Sequence, residues 1–258
     1  MKSLRLIGGI ALIWYVVFGA LLMLLERRII YFPSTQDFES CAGFADAEKI
    51  TYQGARFYYK KVSDERVVVF YHGNAGSACD RSHLKEIFEQ SGYSYLFVEY
   101  SGFSDDSGVP SKKDILGEVT QVREFLLERG YTKVVSVGES IGSGPAAYHA
   151  HLGAVEKVAL LTPYYELADM GGALGKVYPL RLMMRENYTT GEWMKGVTKP
   201  VLVLYASGDE SIPFSSTKRL YDALITSEKK MVGIDRATHN TMYRFEETFD
   251  YLRSFLRN

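Results

Sequence analysis

Val137-Gly138-Glu139-Ser140-Ile141-Gly142-Ser143-Gly144 decides the fold of this chain. It follows the apolar run 133–138 and precedes the helical pattern 142–151. A serine flanked two residues away by glycines, between a buried strand and a helix, is the context of a nucleophile elbow. The reason is steric: the turn is tight, and side chains at Gly138 and Gly142 would collide with the adjoining strand and helix. Ser140 is the expected nucleophile.

Outward from the elbow, apolar runs and helical patterns alternate. Residues 67–71 (VVVFY), 94–100, 133–138, 158–162, 201–206 (VLVLYA) and 230–234 read as strands, 67–71 and 133–138 as buried ones. Residues 83–91, 112–129, 142–151, 215–225 and 241–256 read as helices, and 50–52 with 56–60 as an edge hairpin turning at Gly54. Continuous apolar strands separated by helices predict a mainly parallel central sheet flanked by helices on both faces. A site is then expected beyond the carboxyl ends of the strands. Residues 163–199 lose this rhythm and carry Gly171, Gly172, Gly175 and Pro179 beside a Leu and Met cluster at 182–184; a stretch that long is expected to form a small helical cap over the site.

A serine hydroxyl needs a base, and the base needs a carboxylate to orient it. Asp209 follows strand 201–206 and His239 follows strand 230–234, which puts both on the rim of Ser140. The rivals are Glu210 and Asp235 for the acid and His149 or His151 for the base, the last two expected to face solvent. Tyr71-His72-Gly73-Asn74-Ala75-Gly76 follows the first long strand, and its turn is expected to aim the backbone N–H of Asn74 at the same point as that of Ile141, making a two-donor oxyanion hole. His72 is read as holding that loop.

Residues 6–25 contain no charge and are followed by Glu26, Arg27 and Arg28. Twenty residues at about 1.5 Å give roughly 30 Å, the thickness of a bilayer core. Residues 6–25 are therefore expected to be a single-pass transmembrane anchor, with 26–258 as one catalytic domain holding the 163–199 insertion. Lys2 and Arg5 balance Arg27 and Arg28, so the side of the membrane stays open. Thirty basic residues against 31 acidic ones leave no positive field for nucleic acid, which is not an expected partner. Cys41 and Cys79 are the only cysteines; they either pair in an oxidising compartment or stand as plain buried thiols, the commoner case for two cysteines in a chain of this size.

Taken together, the motifs resemble the α/β-hydrolase superfamily, and in particular its Bem-like branch of N-terminally anchored hydrolases. The apolar anchor, Arg27 to Pro33 (RR-x-x-YFP), His72 to Gly76 (HGNAG) and Gly138 to Gly144 (G-x-SIGSG) carry the likeness. Ala206 stands where relatives have glycine in G-x-x-D-x-x-V-P, and 99–104 (EYSGFS) stands where they often have D-Y-R-G-Y-G. The second departure bears on substrate preference. The resemblance implies a Ser140, Asp209, His239 triad that cleaves an acyl ester or thioester through an acyl-enzyme, with no metal or organic cofactor and with a small-molecule or lipid acyl substrate. A prolyl-peptidase-related peptidase and a tethered binding protein are the rival readings.

Overall fold

The computed structural model describes residues 2–258, with side chains from Arg5 onward. Eight strands form its central sheet: β1 (Glu48–Tyr52), β2 (Ala55–Lys60), β3 (Arg66–Tyr71), β4 (Ser94–Glu99), β5 (Lys133–Glu139), β6 (Lys157–Leu161), β7 (Val201–Ala206) and β8 (Lys229–Ile234). Their order across the sheet is β1-β2-β4-β3-β5-β6-β7-β8. β2 runs antiparallel to both neighbours and the remaining pairs are parallel. The β1–β2 hairpin turns through Gln53 and Gly54, both with positive φ, the twist that closes a two-residue hairpin.

Alternation along the strands divides the core into two layers. Val67, Val69 and Tyr71 of β3 pack with α3 (Lys112–Glu128) and α4 (Ser143–His151). Val68 and Phe70 point the other way, with α2 (Lys85–Gln90) and α9 (Glu246–Arg257). Side chains leaving a strand on opposite faces at every second residue, each face covered by helices, account for the unbroken apolar runs. The helices supply matching stripes. In α3, Ile115, Val119, Val122 and Phe125 share one buried face, and the Ser111 hydroxyl caps its start by accepting from the Asp114 N–H at 3.1 Å. α8 (Phe214–Ala223) follows β7, and in α9 the stripe is Thr248, Leu252 and Leu256. The expected closing helix 241–256 is broken: Met242–Arg244 form a 3₁₀ turn, Phe245 is extended, and α9 starts only at Glu246.

Residues 163–199 carry a 3₁₀ turn, Leu167–Gly171, and three short helices, α5 (Leu174–Val177), α6 (Leu180–Met183) and α7 (Thr190–Met194). α7 packs on α4. The N-terminal helix α1 spans Lys2–Ile30, and from Arg5 on it is long and apolar enough to cross a membrane. A signal sequence passes the same test. It continues through Glu26, Arg27 and Arg28 and docks its last turns on the 185–188 segment. Glu26 is buried and accepts from the Glu186 N–H at 2.8 Å; Arg27 Nε donates to Glu186 at 3.0 Å, and the Tyr31 hydroxyl donates to Glu186 at 2.9 Å. Phe32–Pro33 then pair in parallel with Ala75–Gly76, outside the main sheet.

Cys41 and Cys79 are joined in a disulfide. It ties the segment ahead of β1 to the 3₁₀ turn Cys79–Leu84 that follows the 72–76 loop.

Candidate active site

The turn after β5 has the conformation its glycines predict. Ser140 sits at φ +52°, in the left-handed region that a side chain adopts only under constraint. A Cβ on Gly142 would overlap the carbonyl oxygens of Tyr71 and His72, and one on Gly138 would overlap the carbonyl of Gly142. Both positions therefore require glycine to hold the elbow against β3 and the start of α4. Behind the turn, Glu139 is gripped by Arg81 through two bonds of 3.0 and 2.8 Å and accepts from the Tyr243 hydroxyl at 2.9 Å. Burial opposes ionisation of Glu139, but the Arg81 charge and these bonds outweigh it and hold its carboxyl below the usual range. Nothing in the spacing of the sequence pairs Arg81 with Glu139.

Ser140, His239 and Asp209 come together. His239 Nε2 lies 2.9 Å from Ser140 Oγ, and its Nδ1 lies 2.9 and 3.1 Å from the two Asp209 oxygens. Asp209 Oδ1 also accepts the backbone N–H groups of Ser211 at 2.9 Å and Ile212 at 2.8 Å, which fixes the carboxylate plane. Burial raises the Asp209 pKa, yet the His239 bond, the Ile212 and Ser211 N–H groups and the His239 charge together lower it below the ordinary carboxylate value. An ionised Asp209 at Nδ1 requires the proton there, leaving Nε2 free to accept from Ser140. The arrangement is chemically suited to deliver an alkoxide from Ser140.

The rivals lie elsewhere. Glu210 reaches only the backbone N–H of His239, at 3.5 Å. Asp235 is exposed and faces its neighbour Arg236. His151 is exposed, as expected. His149 is not: it is 1% exposed, with Nδ1 2.9 Å from the Tyr71 hydroxyl. Tyr71 of the sheet beneath and α3, which packs on α4, close the face expected to meet water. Burial, with the Arg123 charge, pushes the His149 pKa down to about 3, so the ring is neutral.

The 72–76 loop is held from three sides. His72 is buried, stacks on Tyr100 at 4.0 Å between centroids, and donates from Nδ1 to the Gly73 carbonyl at 2.8 Å. Tyr100 donates to the His72 carbonyl at 2.9 Å. Asn74 Nδ2 donates to the Ile30 carbonyl at 2.9 Å, at the end of α1. The 99–104 segment is pinned as well. Ser104 has φ +48°, and Arg56 from β2 clamps the Phe103 and Ser104 carbonyls. Ser101 receives Glu118 of α3, whose carboxylate accepts from both its N–H, at 2.8 Å, and its hydroxyl.

In front of Ser140 lies a cavity of about 540 Å³. Asn74, Ile141 and His239 line its floor with Ser140, and its walls are mostly apolar: Leu22, Ile29 and Ile30 from α1, and Leu167, Leu174, Leu180 and Met184 from the 163–199 segment. The α1 wall is absent from the sequence expectation, which treated that helix as an anchor alone. Among the described residues no cluster of His, Cys, Asp or Glu is arranged to hold a metal ion.

This sheet order, elbow and cavity define the α/β-hydrolase fold. An esterase from Pyrococcus furiosus superposes with a TM-score of 0.69 at 15% identity, covering 88% of this chain and 97% of that one. No family model matches the chain. In sequence it is similar to an uncharacterized protein of Mycobacterium tuberculosis, 26% identical over 93% of this chain and 90% of that one. It is also similar to bem46 of Schizosaccharomyces pombe, 23% identical over 73% and 66%. The lysophosphatidylserine lipase ABHD12 of Danio rerio is 23% identical, over 69% of this chain and 52% of that protein. The chain has the α/β-hydrolase fold and is similar in sequence to proteins of the Bem-like branch.

Proposed function

We propose that the chain is a membrane-anchored hydrolase that cleaves a lipophilic carboxylic ester or thioester, with Ser140 as nucleophile, His239 as general base and Asp209 as the acid that orients it. The observation that carries this reading is the continuous hydrogen-bonded relay from Asp209 through His239 to Ser140 at the floor of an apolar cavity. Ser140 attacks the acyl carbonyl as His239 takes its proton. The backbone N–H groups of Asn74 and Ile141 receive the oxyanion, each contributing about 3 kcal/mol of transition-state stabilisation. The imidazolium then protonates the leaving alcohol or thiol, the acyl group remains on Ser140, and water activated by His239 releases the acid.

The anchor is α1, the domain is 26–258, and 163–199 is its cap. The Cys41–Cys79 disulfide supports a domain facing an oxidising compartment, which is the orientation that the balanced flanking charges leave open. The likeness to a lysophosphatidylserine lipase and the apolar walls both support a lipid acyl substrate.

The test is labelling of detergent-purified protein with a fluorophosphonate, together with turnover of p-nitrophenyl esters of increasing chain length. Labelling that vanishes in Ser140→Ala and His239→Ala, with turnover that favours a longer acyl chain, is expected. Folded wild-type protein that neither labels nor turns over any ester would overturn the reading.

A further inference from the structure

α1 does not leave the domain cleanly. Tyr15 stacks on Tyr178 with 4.5 Å between ring centroids, the Tyr15 hydroxyl donates to the Val177 carbonyl at 3.0 Å, and the Tyr178 hydroxyl donates to the Tyr15 carbonyl at 2.9 Å. One turn further on, Gly19 lets the Tyr178 ring and the Met183 methyl come close to the helix backbone. Tyr15 lies about 22 Å along the axis from Ile30, at 1.5 Å per residue. The domain therefore climbs more than half of the helix.

That contact constrains how the helix meets a bilayer. Beyond Tyr15 the uncharged run extends only over residues 6–14 before Arg5 and Lys2, about 14 Å of apolar helix, against a hydrocarbon core of about 30 Å. An anchor held in this way crosses the core only if the α5–α6 hairpin enters it as well. The hairpin has the surface for this: Leu182 is 87% exposed and Val177 57%, and both lie close to the stacked tyrosines in sequence or space. Its two charged side chains, Lys176 and Arg181, are long enough to reach the headgroups, and Arg181 already turns back to Glu166 and Asp169. The same short helices wall the cavity through Leu174 and Leu180, opposite Leu22 of α1.

Building on the anchored-hydrolase reading, we infer that α5 and α6 lie below the lipid surface beside α1, so that the cavity in front of Ser140 opens into the leaflet and receives an acyl chain sideways from lipid. The occupant of this apolar face is the bilayer itself.

The full chain is reconstituted into phosphatidylcholine vesicles with an environment-sensitive fluorophore on Leu182→Cys, or on Lys133→Cys at the amino end of β5, the strand whose carboxyl end carries the elbow. The expected result is blue-shifted emission at position 182 and about two-fold quenching by spin-labelled phosphatidylcholine, with neither at position 133. A probe at 182 that iodide quenches as readily as one at 133 overturns the inference. So does a dry probe untouched by the spin-labelled lipid that cross-links to a second copy. In parallel, Leu182→Asp combined with Val177→Asp is expected to lower hydrolysis of a long-chain ester presented in vesicles by about ten-fold, with p-nitrophenyl acetate hydrolysis unchanged; equal rates on vesicles count against the inference. Fluorophosphonate labelling in the same vesicles separates the two readings. A labelled enzyme with a water-exposed probe faults the hairpin alone, whereas an unlabelled enzyme with a lipid-quenched probe faults the hydrolase.

Discussion

Asn74 and Ile30 are joined by a single bond, from the Asn74 side-chain amide to the Ile30 carbonyl at 2.9 Å. Two backbone bonds continue the connection, from the Phe32 N–H to the Asn74 carbonyl at 2.8 Å and from the Ser34 N–H to the Gly76 carbonyl at 3.0 Å. The end of α1 thus braces the loop whose Asn74 N–H is the proposed oxyanion donor. Asn74→Ala leaves that N–H in place and removes only the side-chain brace. A bond of this kind contributes about 1 kcal/mol, so kcat toward soluble p-nitrophenyl butyrate is expected to fall about 5-fold with KM nearly constant. Steady-state kinetics and a melting curve check both halves of this.

Asp209 and Glu210 are adjacent in sequence but unequal in space. Only Asp209 meets the His239 ring, so Asp209→Asn is expected to lower kcat about 10⁴-fold by favouring the wrong tautomer. Glu210→Gln is expected to stay within about 2-fold, since its one contact is a 3.5 Å approach to a backbone N–H. Single-turnover acylation by an activated ester reads the difference directly.

Glu118 gives the enzyme a pH-dependent stability. Burial raises its carboxyl from the ordinary 4.5 to about 7, against the opposing bonds from Ser101. The folded state then holds the proton more tightly than the unfolded chain. Stability from this group is full below the ordinary carboxylate value, declines as pH rises toward 7, and is lost above it. The cost at pH 8 is roughly 3 kcal/mol at most. Glu118→Gln keeps an oxygen for Ser101 and is expected to melt higher than wild type at pH 8 and close to it at pH 4, measured by calorimetry.

The Cys41–Cys79 disulfide closes a loop with a sequence separation of 38. Chain-entropy arguments give such a crosslink about 4 kcal/mol. Reduction, or Cys41→Ser with Cys79→Ser, is expected to lower the melting temperature by several degrees and to loosen the 72–76 loop beside Cys79. Melting with and without a reductant tests the first, and proteolysis near residues 77–84 the second.

What was legible in the sequence is what is local or periodic. Gly138, Ser140 and Gly142 declare the elbow because steric exclusion acts within five residues, and β3 to β7 show as apolar runs because both of their faces are covered. Asp209 and His239 were found because each follows its strand within a few residues. The burial of His149 was not legible because Tyr71 of β3, 78 residues away, and α3, which packs on α4, close its face of the helix. The Glu26, Tyr31 and Glu186 network joins residues about 160 apart, and Arg81 reaches Glu139 across 58 positions; no pattern in a single sequence marks such partners. The cysteine pair is the same kind of case, since two thiols carry no spacing rule that distinguishes a bond from its absence.

Because Leu22, Ile29 and Ile30 form one wall of the cavity, the helix shapes the chamber that any ligand meets. A shortened version that begins after residue 34 would present an open trough where the native protein has a bounded chamber. Compounds ranked against that trough would be selected for the wrong shape, and electrophiles too bulky for the native chamber would score as hits.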